Sequence, residues 1–134
     1  MTTSPSPAPG LNEIGQIAIT VADVAAATAF YRDVLGLKFL FAAGPRLAFF
    51  AAGGIRLMIT RPDGAGEPGK NSILYFRVSD IQTTYDSLVQ KGATPGAPPN
   101  RVARMPDHDL WIAEVRDPEN NVIALMSEVP RAAT

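Results

Sequence analysis

The chain has 134 residues, 46% of them hydrophobic and 19% charged, which is the size and balance of one globular domain. Its 12 Lys and Arg against 13 Asp and Glu leave a net charge of −1, excluding the basic surface that a nucleic-acid partner requires. With no cysteine and a single histidine, it excludes a disulfide framework, a thiol nucleophile, a Cys-based zinc site and any site needing two histidines from one chain.

Residues 1–13 read as a flexible tail, because Pro5, Pro7 and Pro9 have no amide hydrogen to give to a ladder. The first ten residues lack the basic start and apolar core of a signal peptide, and no apolar run is long enough to span a bilayer. The expected location is therefore the cytoplasm, with no membrane partner. Residues 14–21 alternate as a strand, with Ile17, Ile19 and Val21 on one face and Gln16, Ala18 and Thr20 on the other. Asp23 is a helix N-cap; Val24, Ala27, Phe30, Tyr31, Val34 and Leu35 follow at helical spacing, and Gly36 ends the helix. Three strands follow, over 37–43, 47–51 and 55–60, separated by the turns Gly44-Pro45 and Gly53-Gly54. The stretch 61–71, with three glycines and two prolines, is a connector.

The pattern then restarts. Residues 72–78 form a strand with Leu74, Phe76 and Val78 on one face. Asp80 caps a helix that buries Ile81, Tyr85, Leu88 and Val89 and closes at Gly92. Residues 94–100 are Pro-rich and loop-like. Strands are expected over 101–105, 110–115 and 121–126, the last two joined by the turn Asp117-Pro118-Glu119-Asn120, and residues 129–134 read as a C-terminal tail. The segment from Gln16 to Asp23 matches that from Ile73 to Asp80 at a constant offset, and Val-x-Asp followed by Val or Ile ends both strands and opens both helices. This is an internal repeat of two βαβββ units, 14–60 and 72–128. A unit with one helix and four strands leaves one sheet face uncovered, so the two units should pack together.

That order, with the segment from Ala29 through Phe30, Tyr31 and Gly36 to Leu37 and the segment from Asp117 to Ile123, resembles the vicinal oxygen chelate superfamily, which includes glyoxalase I, bleomycin-resistance proteins and extradiol dioxygenases. The resemblance spans 14–128. It implies an α+β fold in which two βαβββ units form a curved mixed sheet around a cleft, with helices on the outer face. It also implies a homodimer, because members with two units per chain commonly pair, and open sheet edges and apolar concave surface give a physical motive for pairing. In metal-dependent members the ligands come from the first and last strands of each unit. Those positions are here Gln16, Met58, Ile73 and Ala124. Imidazole or carboxylate is needed to hold a hard or borderline divalent ion, and this set has neither. No metal and no cofactor is expected.

If the helices cover one face, alternation turns Gln16, Ala18, Thr20, Arg56, Met58, Thr60, Ile73, Tyr75, Arg77, Ala124 and Met126 toward the cleft. An apolar cavity with a few polar handles suits a small molecule. Gln16, Arg56, Met58, Tyr75, Arg77 and Trp111 are the expected ligand contacts. The arginines either clamp an anion or pair with surface carboxylates. Trp111 either stacks on a planar ligand or packs in the core or a dimer interface. His108, in the loop before the strand 110–115, is the candidate catalytic residue, or else a turn histidine held by Asp107 or Asp109. The expected function is binding of a small organic ligand, aromatic or anionic. The alternative is a metal-independent lyase or isomerase, and a metal-dependent glyoxalase or dioxygenase is least expected.

Overall fold

A computed structural model describes residues 10–62 and 66–131, so the tail reading over 1–9 and the last three residues lie outside it. The first unit runs β1 (Gln16–Thr20), α1 (Val24–Ala29), a π-helical turn (Phe30–Val34), β2 (Lys38–Ala42), a 3-10 turn (Gly44–Arg46), β3 (Leu47–Ala52) and β4 (Ile55–Thr60). The second runs β5 (Leu74–Arg77), α2 (Ile81–Gln90), β6 (Thr94–Pro95), β7 (Asn100–Arg104), β8 (His108–Arg116) and β9 (Val122–Pro130). The fold is α+β. Each unit makes its own mixed sheet: β1-β4-β3-β2 in the first, and β5-β9-β8-β6 in the second with β7 also on β8. The first and last strands of each unit are parallel neighbours, and the remaining pairs are antiparallel.

The helix boundaries follow from local chemistry. The Asp23 carboxylate accepts from Ala26 N at 3.0 Å, and Asp80 accepts from Thr83 N at 3.0 Å. Gly36 (φ 73°) and Gly92 (φ 115°) supply the left-handed residue that stops each helix. The hydrogen bonds of Thr83 hold the Asp80 carboxyl below its ordinary value of 3.8. A carboxyl lowered in the folded state contributes stability above its unfolded pKa, and that contribution disappears as pH falls through the folded one. Asp80→Asn keeps a capping oxygen and cannot titrate. The variant should therefore lose less stability than the parent as pH falls below the ordinary carboxyl value of 3.8. Urea midpoints above and below that value check it; parallel curves would show that Asp80 does not set the acid limb.

Three boundaries differ from the sequence reading. The stretch 94–100 is not all loop: β6 pairs with Val115 and Arg116, and β7, which begins at Asn100, pairs with β8 from Ile112 back to Asp109. Pro98 and Pro99, which cannot donate to the ladder, separate the two pieces of what is otherwise one edge strand. His108 opens β8 instead of preceding it, because its partner Pro130 extends β9 past residue 128 into the expected tail. Finally, β5 is shorter than the expected strand and leaves Ile73 outside it.

The helix-side residues of both units merge into one core. Ile19, Val21, Phe50, Leu57 and Ile59 of the first unit join Val115, Ile123 and Leu125 of the second, with Tyr31 and Phe30 from the first helix and Ile81 and Leu88 from α2. A buried polar seam accompanies the apolar one. The Tyr31 hydroxyl donates to Asp117 Oδ2 at 2.9 Å, and Asp117 also accepts from the amides of Glu119 (2.9 Å) and Asn121 (2.8 Å) and from Asn121 Nδ2 (2.9 Å). Burial and the neighbouring Asp117 carboxylate push the Tyr31 phenol up, so its hydroxyl stays a donor. Glu119 reaches across to accept from Ala22 N (2.6 Å) and Asp23 N (2.8 Å) at the entrance of α1. Asn71, at the end of the connector, bonds both the N–H and the C=O of Thr20 and donates to Asn121 Oδ1 at 2.7 Å. The turn beginning at Asp117 is thus the joint between the units.

Candidate ligand-binding site

The two ladders turn the expected residues onto the helix-free face of each sheet. In the first sheet Gln16 aligns with Arg56, Ala18 with Met58 and Thr20 with Thr60; in the second, Tyr75 aligns with Ala124 and Arg77 with Met126. Cross-strand partners point to the same side, so each group shares one face.

On the first sheet the row through Ala18 and Met58 continues into Phe49 and then Phe41. Phe41 and Phe49 stack, with ring centroids 4.6 Å apart and planes 28° apart. The Arg56 guanidinium lies 5.1 Å from the Phe49 centroid. Arg56 Nε donates to Gln16 Oε1 at 2.7 Å, and Gln16 Nε2 donates to Met58 Sδ at 3.7 Å. The neighbouring row runs Gln16, Arg56, Ala51, Lys38. Among the described residues no carboxylate lies within ion-pair distance of Arg56 or Lys38.

Phe49, Phe41 and Lys38 were not among the expected contacts. Phe49 was within reach: the tight Gly53-Gly54 turn pairs Ala52 with Ile55, and counting back sets Phe49 opposite Met58. Phe41 was not, because β2 slips register between Phe39 and Phe41, so these two aromatics face opposite sides.

The second sheet is built differently. Tyr75 is 52% exposed, and Arg77 Nη2 donates to Glu128 Oε1 at 3.1 Å with its side chain 71% exposed. The other oxygen of Glu128 lies 3.6 Å from His108 Nε2, while His108 Nδ1 is 2.7 Å from Asp107 Oδ1. The hydrogen bond to His108 holds the Asp107 carboxyl below its usual range. His108 is therefore one member of a surface chain from Asp107 to Arg77. Trp111 faces the opposite way. It aligns with buried Ser127 on the side of Ala113 and Val115 and packs half-buried against the core, because strict alternation in β8 gives the helix-free face to Leu110, Ile112 and Glu114.

A groove of about 730 Å3 lies between the units, within the range of small-molecule pockets. Tyr75, Arg77, Ile73 and Met126 border it together with Ile17 and Leu57, whereas Gln16, Arg56 and Met58 do not. Within one chain five of the six expected contacts thus form two groups, one on the helix-free face of the first sheet and one along β5, while Trp111 on the core side of β8 joins neither.

The family metal positions do not fit an ion. Gln16 gives its one oxygen to a guanidinium cation, Met58 offers a thioether, and Ile73 and Ala124 carry no donor atom. Among the described residues no group of three His, Asp or Glu is arranged to hold a metal.

Two mixed sheets built from repeated βαβββ units define the glyoxalase class of fold. The chain belongs to the Glyoxalase/Bleomycin resistance protein/Dioxygenase superfamily, which residues 13–125 match. It is 29% identical over 126 residues to the uncharacterized protein YraH of Bacillus subtilis (strain 168), covering 82% of this chain and 94% of that one. Lactoylglutathione lyase from Agrobacterium tumefaciens has a similar structure, with a TM-score of 0.73, 21% identity and coverage of 88% of this chain and 95% of that chain. So has TnmS3, an antibiotic binding protein from Streptomyces sp. CB03234, with a TM-score of 0.73, 20% identity and coverage of 90% and 99%. No helix among the described residues is long and apolar enough to cross a membrane.

Proposed function

We propose that this protein binds a small organic ligand, with an aromatic or anionic character, on the helix-free faces of its sheets, and does so without the family metal. The observation that carries the reading is the first sheet's face, where an apolar and aromatic floor lies beside a guanidinium that no carboxylate among the described residues neutralises. A protein surface with no partner seldom keeps such a combination, whereas a small-molecule site uses it. The likeness to an antibiotic binding protein supports a small organic ligand. The working form is a homodimer. Phe41 (46% exposed) on the first sheet and Tyr75 on the second leave apolar surface on the helix-free faces, and a second chain would cover it.

Thermal-shift screening against a library of aromatic acids and natural-product antibiotics tests the reading. A ligand at 100 times its dissociation constant stabilises by about 2.7 kcal/mol, which raises the melting temperature of a domain this size by roughly 10 °C. A library with no hit above ~2 °C would count against it. Light scattering at micromolar concentration should report twice the chain mass, and a stable monomer would refute the dimer.

A further inference from the structure

The two arginines on the helix-free faces are not equivalent. Arg77 already has a carboxylate, since Glu128 accepts from its Nη2 at 3.1 Å. Arg56 has none among the described residues, and two neighbours fix its direction: Gln16 Oε1 takes its Nε at 2.7 Å, and the Phe49 ring lies under its guanidinium at 5.1 Å. Gln16 is itself tethered through Nε2 to Met58 Sδ. These contacts use Nε and the π face of the guanidinium. They leave its two terminal nitrogens, which form the fork that matches a carboxylate or phosphate with two parallel hydrogen bonds. Lys38, a second cation with no carboxylate in ion-pair reach among the described residues, lies in the same row beyond Ala51, about 9–10 Å from Arg56 by strand spacing. Ala51 between them keeps the floor low.

From this geometry we infer that the ligand carries an oxyanion group on a planar apolar body, that Arg56 binds the oxyanion, and that Gln16 is a positioning residue that aims Arg56. The body then lies along Met58 and the Phe41–Phe49 stack. This inference rests on the small-molecule reading above and specifies its ligand class. It also assigns Gln16, a neutral amide at a family metal position, the task of orienting a fixed cation.

Fluorescence titration with two matched probes tests it on the full chain: 1-anilinonaphthalene-8-sulfonate, and N-phenyl-1-naphthylamine, which is the same ring system without the sulfonate. Arg56→Gln should weaken the sulfonate probe about tenfold and leave the neutral one within about twofold, as expected for loss of a charge-assisted pair. Arg32→Gln, at a guanidinium paired with Asp33 and outside both sheet faces, should leave both unchanged, and Arg77→Gln should weaken the sulfonate probe less than Arg56→Gln does. Gln16→Leu should weaken only the sulfonate probe, by less than Arg56→Gln. Gln16→Glu, which sets a carboxylate against Arg56, should match or exceed the Arg56→Gln loss. Far-UV circular dichroism confirms that each variant is folded. If the sulfonate probe instead depends more on Arg77 than on Arg56, or if the Arg56 variants weaken both probes alike, the Arg56 assignment is overturned while the small-molecule reading stands. If neither probe binds the parent protein, the oxyanion assignment fails, and the thermal-shift screen decides the small-molecule reading separately.

Discussion

Asp117→Ala should cost on the order of 3–5 kcal/mol of folding stability, the largest loss from any single polar substitution in this chain. The side chain is 3% exposed and accepts four hydrogen bonds, from the Tyr31 hydroxyl, the Glu119 and Asn121 amides and the Asn121 side chain. Removing it leaves a fully buried phenol hydroxyl without its acceptor and loosens the turn that places Glu119 against the entrance of α1. Each orphaned buried donor costs about 1–3 kcal/mol, and the whole domain has only about 5–15 kcal/mol to lose. Tyr31→Phe removes one of the four donors and keeps the ring in the core, so it should cost about 1–2 kcal/mol. Urea unfolding followed by Trp111 emission measures both. If Asp117→Ala costs no more than Tyr31→Phe, the turn is not the joint described here.

The second prediction contrasts neighbours in one strand. Phe50→Ala should cost about 3–5 kcal/mol, because the ring is fully buried, edge-on to Phe39 at 5.5 Å and 6.2 Å from Tyr31. Phe49→Ala should cost about 2 kcal/mol, since its cover is the partly exposed Phe41 and the guanidinium of Arg56. Its larger effect should be on binding. Without the ring beneath it Arg56 is no longer aimed, and 1-anilinonaphthalene-8-sulfonate should bind about fivefold more weakly, as fits the loss of a cation–π contact of ~1 kcal/mol. Phe50→Ala, where it remains folded, should leave probe binding near the parent value. Equal stability losses with no difference in binding would mean that the two rings do not face opposite sides of β3.

The residues that specify the fold act locally. A capping aspartate with a left-handed glycine at the far end bounds each helix, and period-two alternation marks β1, β4, β5 and β9. Such signals survive in a bare sequence because each depends on groups a few residues apart. The repeat of Val-x-Asp made the second unit legible from the first, and with it the faces of Gln16, Arg56, Met58, Tyr75 and Arg77. Where a strand carries an irregularity, this reasoning stops. The register slip in β2 turns Phe41 onto the helix-free face, the paired prolines split β6 from β7, and the pairing of His108 with Pro130 draws the histidine into a ladder.

Alternation along β8 puts Trp111 and Glu114 on opposite faces, but alternation by itself does not say which face the core takes. Packing decided it: Ala113 and Val115 are buried against α2 and β9, and Trp111 follows them inward. The sequence likewise contained every member of the joint between the units without connecting them, since Tyr31, Asn71 and the turn that holds Asp117 and Glu119 are far apart along the chain and meet only when the helix-side faces close on one core. At the positions that the family resemblance assigns, donor chemistry marks Gln16, Met58, Ile73 and Ala124 as a poor metal set. That Arg56 has no carboxylate partner among the described residues while Arg77 is paired with Glu128 is a matter of which acidic side chains the fold brings within reach, and a linear sequence holds no such distances.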